Sequence, residues 1–185
     1  MGYRINVRNC KRAAVTADTS SSYTIATPVD MPTLRSVDIS FKSASGELYG
    51  DGELVSNRTK MTGATLQLGI DKLTLADKAA LLGATETAKG TLPIKTTDTP
   101  GKVAIYFEIE HDDGGYEAVW LLVGTAQPLP ITAQQTESNI NYSTETLNID
   151  FVRRNKDKEV LVIADTDDVA FTTANQTAFA ASPDI

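Results

Sequence analysis

Few side chains in this sequence are of a type that could do chemistry. His111 is the only histidine and Cys10 the only cysteine. A nucleophile–histidine–acid relay needs an imidazole held against a nucleophile. His111 instead opens His111-Asp112-Asp113-Gly114-Gly115, a glycine-rich run in which a polar turn residue is expected. No GxGxxG, Walker-type loop, HExxH or GxSxG motif is present. A lone cysteine can form neither an internal disulfide nor a cysteine-based metal centre within one chain. The acidic runs Asp112-Asp113 and Asp165-Thr166-Asp167-Asp168 carry the oxygens that calcium takes. The second run lacks the sharp-turn glycine and the later bidentate glutamate of an EF-hand loop, and solvated turns account for both. Aromatic residues make up only 6% of the chain, too few to line a sugar cleft between paired carboxylates. The expectation is a protein with no catalytic residues, no metal and no cofactor.

Charge excludes a further class. A net charge of -7 argues against general nucleic-acid binding, which needs a basic surface to neutralise phosphates. The balance is uneven. Residues 1–60 carry eight basic and six acidic side chains, a net of +2, whereas residues 61–185 carry nine and eighteen, a net of -9. Arg4, Arg8, Lys11 and Arg12 crowd the first twelve positions. Two readings of that arm stay open: it docks on the acidic body of another subunit, or it is a solvated edge strand kept from aggregating by its charges. No apolar run approaches the roughly 18 residues of a membrane span, and the basic N-terminus has no apolar core of a signal peptide. Synthesis and assembly in a reducing cytoplasm are expected.

The elements that would position these groups follow a period of two. Val37, Ile39 and Phe41 alternate with Ser36, Asp38, Ser40 and Lys42, and Ala64, Leu66, Leu68 and Ile70 alternate with polar or small residues. Val103 to Ile109 and Leu147 to Phe151 do the same, so each predicts a strand with one buried face. Tyr116 to Gly124 is apolar on both faces, so its second face must be covered by a helix or a neighbour. The run 111–115 is predicted to join it to the preceding strand as a hairpin turn. Tyr3 to Val7, Tyr23 to Val29 and Glu159 to Ala164 are further candidate strands. One helix is predicted over 75–82, with Thr74 as N-cap, Asp77 three residues on, Gly83 as its stop, and Leu75, Ala79 and Leu82 as its apolar stripe. The expected fold is mainly β and antiparallel, with one short α-helix docked on the sheet. It spans residues 1–170, with an N-terminal arm at 1–20 and a long loop at 43–63, followed by a C-terminal tail at 171–185.

The order of these features resembles the major tail (tail-tube) proteins of siphophages, of the type found in phages of Gram-positive bacteria. The resemblance rests on a short first strand and then Leu48-Tyr49-Gly50-Asp51-Gly52-Glu53. Next come a strand from Gly63 to Asp71 and a helix ending Leu81-Leu82-Gly83. Tyr116 to Leu121 follows, then Pro128 and Pro130, and last Phe151-Val152-Arg153-Arg154. It covers roughly residues 2–168. The chain departs from the pattern in lacking a turn glycine after Arg154 and in the segment after Asp168.

The resemblance implies an antiparallel β-sandwich or half-barrel with one short flanking α-helix, and a structural virion protein located in the phage tail. Six copies would form a ring, and rings would stack into a tube through which DNA passes without specific binding. Its partners would be further copies of itself, the tape-measure protein, the tail terminator and the distal tail protein, with no membrane. On that basis Glu47, Leu48, Tyr49, Asp51, Glu53 and Arg58 in the 43–63 loop are candidates for ring-to-ring contact. Asp38, Asp71 and Asp150, among small polar neighbours, are candidates for lining an acidic lumen that repels phosphate. Arg4, Arg8, Lys11 and Arg12 form the candidate inter-subunit arm. The alternative function is a β-sandwich adhesion or carbohydrate-binding module of a phage or bacterial surface structure.

Overall fold

A computed structural model describes residues 2–31, 34–50, 53–131 and 144–184. Its strands are β1 (Arg4–Asp18), β2 (Tyr23–Ile25), β3 (Val29–Asp30), β4 (Leu34–Gly50), β5 (Glu53–Ile70), β6 (Lys102–His111), β7 (Tyr116–Ala126), β8 (Glu145–Val152) and β9 (Leu161–Asp165). The helices are α1 (Leu75–Leu82) and α2 (Thr173–Ala181). Neither helix is long and apolar enough to cross a membrane.

The strands join in one antiparallel sheet of order β2-β1-β6-β7-β8-β5-β4, with β3 added to β1 and β9 to β7. One edge of β7 is shared: Glu117–Leu121 pair with β9 and Val123–Ala126 with β8. At this changeover the sheet folds over itself. Gly124 makes the close approach possible, because a Cβ there would lie 2.5 Å from Phe151 Cε1 and 2.7 Å from Ile149 Cγ2. Leu66 and Leu68 of β5 and Leu147 and Ile149 of β8 then pack against Ile105, Phe107, Val119 and Leu121 of β6 and β7. The fold is mainly β and antiparallel, as the period-two pattern predicts, and its folded-over sheet is the half-barrel that the resemblance implies.

β1 serves both sides of this layer through a bulge. Arg8 faces Glu108 and Lys11 faces Tyr106, so one extra residue enters β1 between them. Asn9 takes it up in the left-handed region at φ 52°, which asparagine tolerates better than most residues. The extra residue reverses the alternation. Val7 and Cys10 face the inner core, whereas Ala13 and Val15 face the outer one.

The outer core corrects two expectations. Tyr106 and Trp120 point away from the half-barrel, and the segment taken as a C-terminal tail (171–185) covers them through a second helix, α2. Phe171 and Phe179 pack there edge-on, with centroids 5.7 Å apart, and Trp120 Nε1 donates to Phe179 O at 2.6 Å. The segment's end is pinned by Arg154, which is buried. Its guanidinium donates to Asp157, to Glu159 (2.8 Å) and to Asp184 (2.6 Å), and lies 5.0 Å over the Tyr23 ring. Burial opposes that charge, but the hydrogen bonds that the guanidinium donates to Asp157 and Asp184 outweigh burial and raise the Arg154 pKa. So residues 171–184 are built into the domain.

α1 has the expected caps. Thr74 Oγ1 accepts from Asp77 N at 3.1 Å, and Gly83 is left-handed. Its buried face differs from the predicted stripe. Leu75 is exposed, and the residues turned inward are Asp77, Leu81 and Leu82. The buried Asp77 carboxylate receives Arg12 Nε at 2.8 Å, a partner that no local pattern supplies.

Phe179→Ala removes the principal apolar anchor of α2. Equilibrium urea unfolding should show a loss of about 3–5 kcal/mol.

Candidate assembly surfaces

The segment expected as a loop at 43–63 is strand at all its described residues, 43–50 and 53–63. β4 and β5 pair from Leu34↔Ile70 out to Gly50↔Glu53, with register shifts after Leu34, Lys42 and Leu48. Glu47, Leu48, Tyr49, Glu53 and Arg58 therefore sit on a hairpin, opposite Asn57, Ser56, Leu54, Gly50 and Gly46. Asp51 lies outside the described residues. The neighbouring strand β8 pairs with β5 only from Gly63 to Ile70. Among the described residues, the hairpin beyond Gly63 is a two-stranded ribbon with no third strand beside it. From Ser43 to Gly50, at about 3.3 Å per residue, it reaches roughly 25 Å. Leu54, Val55 and Met61 on this ribbon are each about half exposed or more. A two-stranded ribbon with no third strand and no covering layer is marginal in water by itself.

β4 is also the last strand of the sheet, so one of its two edges has no backbone partner among the described residues. Such an edge is a template for pairing with another chain. Beside it the half-barrel is open. A groove of about 650 Å³ runs between β4 and the β1–β9 side, lined by Ile5, Val37, Ile39, Phe41, Leu161 and Ile163.

The small polar residues gather on one face. Ser36, Gly69 and Thr146 form one cross-strand row, Asp38, Gln67 and Asn148 the next, and Ser40, Thr65 and Asp150 the third. Of the three candidate acids on or beside this face, two are already paired. Asp71 receives Arg35, and Asp150 accepts from Lys42, Gln127 Nε2 (2.6 Å) and Thr65 Oγ1 (2.8 Å). Those hydrogen bonds, the one from Lys42 foremost, hold the Asp150 carboxyl down at about 2. Asp38 has no ion-pair partner among the described residues. The face is polar and wet, with less net negative charge than its aspartates suggest.

The basic arm is the first half of β1. Lys11 and Arg12 lie between β6 on one side and β3 on the other, whereas Arg4–Arg8 pair with β6 alone among the described residues. The arm's charges are satisfied inside the chain. Arg4 pairs with Glu117 (2.6 Å), Arg8 with Glu108 (2.9 Å) and Glu110, Lys11 with Asp30 (3.9 Å) and Arg12 with Asp77 (2.8 Å). Glu108 is buried on β6 and also receives Tyr106 Oη and Asn9 Nδ2, each at 2.8 Å. A carboxylate among the apolar residues of β6 is the one sequence signal that could have pointed to an internal partner for Arg8.

Against protein-family models and curated proteins the chain finds no match.

The fold also brings together residues that the sequence keeps apart. The turn 112–115 and the segment after β9 are clipped to each other, with Thr166 N donating to Tyr116 O at 3.1 Å and Tyr116 N donating to Thr166 Oγ1 at 2.8 Å. The two acidic runs thus lie beside His111.

A carboxyl depressed in the folded state stabilises it above the ordinary carboxyl range near 3.9, and that contribution is lost as pH falls through the depressed value. Asp150→Asn should therefore be less stable than the parent chain at pH 6. The gap should close between about pH 4 and pH 2, as read by urea unfolding at a series of pH values.

Proposed function

We propose that this chain is a structural, self-assembling subunit of a siphophage-type tail tube. The observation that carries the reading is the β4–β5 hairpin. Among the described residues, one strand of 17 residues has an unpartnered edge, and its distal ribbon carries exposed apolar side chains. Pairing along the β4 edge and filling of the adjoining groove would join neighbours within a ring. The ribbon would reach the ring above or below. A tube needs both kinds of head-to-tail contact. The polar rows centred on Asp38, Gln67 and Asn148 support a wet lumen-facing wall, past which DNA slides without sticking. In this reading the partners are further copies of the chain, the tape-measure protein, the terminator and the distal tail protein, within the virion.

Replacing residues 45–59 by Asn-Gly keeps Ala44 opposite Lys60 and closes the shortened hairpin with a two-residue turn. The variant should fold with an unchanged circular dichroism spectrum and stay dispersed, where the parent chain forms rings or tubes by negative-stain electron microscopy. Normal tubes from this variant would remove the ribbon's role. Asp38→Lys with Gln67→Lys should leave tubes intact and slow DNA ejection from the phage. Unchanged ejection would move the lumen to another face.

A further inference from the structure

His111 stands at the end of β6 with its side chain about 5% exposed. One imidazole nitrogen, one carboxylate oxygen of Asp113 and one of Asp167 all lie within 4.8 Å of one another. The two nitrogens of the ring have different surroundings. Nε2 is 3.5 Å from Glu117 Oε1, so the carboxylate favours the proton on Nε2 and leaves the lone pair on Nδ1. Nδ1 is buried and has no hydrogen-bond partner among the described residues. A buried acceptor left in that state forfeits the hydrogen bonds it would make in water. The backbone leaves room where the oxygens converge. A Cβ on Gly115 would stand 2.8 Å from Thr166 Oγ1 and 3.3 Å from both Asp113 Oδ1 and Asp167 Oδ1.

We propose that His111, Asp113 and Asp167 bind a divalent transition-metal ion of the zinc class, with Glu117 orienting the imidazole. One nitrogen and two carboxylates suit zinc, whereas calcium takes oxygen donors. A tetrahedral ion with bonds of about 2.0–2.1 Å sets its donors roughly 3.3 Å apart. Asp113 and Asp167 are both exposed turn residues. Closing the three groups to that spacing would need their side chains to turn, Asp113 Oδ1 exchanging the Gly115 N–H that it accepts at 3.2 Å for the ion, with water in the fourth position. Glu117 then plays the part of the carboxylate that commonly holds the far nitrogen of a metal-bound histidine. The ion would staple the β6–β7 turn to the end of β9. This inference rests on the fold alone and stands whether or not the chain builds a tube.

Because His111 is the only histidine, its ring resonances report this site without overlap. The full chain, stripped with EDTA, is titrated with Zn²⁺ and followed by calorimetry and by long-range ¹H–¹⁵N correlation of the imidazole. Saturation at one ion per chain is expected, with a shift of the Nδ1 resonance and a raised thermal midpoint. The Asp113→Asn/Asp167→Asn double variant changes only exposed side chains, and its circular dichroism should match the parent. Its zinc affinity should fall at least tenfold. Absence of saturable binding, binding that leaves the imidazole nitrogens unmoved, or full affinity in the double variant would each overturn the site.

Discussion

The β6–β7 hairpin is apolar on both faces, and neither face can be left in water. Ile105, Phe107, Val119 and Leu121 point one way, and Tyr106, Trp120 and Leu122 point the other. Each such side chain loses about 1.5–3 kcal/mol if it stays exposed. Two separate coverings follow. β4, β5 and β8 fold across the inner face from the changeover at Gly124, and α2 closes the outer face from the far end of the chain. The bulge at Asn9 answers the same demand, since it lets a single strand feed both cores.

Polar groups drawn into this arrangement are matched with care. Glu108, Asp77 and Arg154 are buried charges, and each has ionic partners from distant parts of the chain. A buried charge without a partner would cost several kcal/mol, so these contacts fix register more than they add net stability. They also use up the positive charge of β1. What remains unmatched is concentrated at the β4 edge, the ribbon beyond Gly63, and the buried Nδ1 of His111.

Much of the sheet was legible because one-sided burial writes alternation into a strand. Val37, Ile39, Leu66, Leu68, Leu147 and Ile149 all face the inner core as their spacing indicates. The ribbon carries no such pattern, since neither of its faces is buried among the described residues, and alternation without burial has no cause. The mistaken face of α1 has a different origin. A buried aspartate looks like a solvated one until its arginine, 65 residues away, is placed. α2 is short, rich in alanine and threonine, and anchored by one phenylalanine, so its pattern is too weak to separate it from a loose tail. The convergence at His111 depends on β9 pairing with β7, a long-range contact that spacing within either acidic run cannot encode.

Trp120 is the only tryptophan, and it lies fully buried under α2 with its indole N–H bound to the helix backbone. Its emission is therefore an intrinsic optical gauge of whether the C-terminal helix is seated. Red-shifted light would mark indole reached by water, and an unchanged spectrum would mark a closed outer core. Any exchange of that helix between copies during assembly could thus be followed in real time without a label.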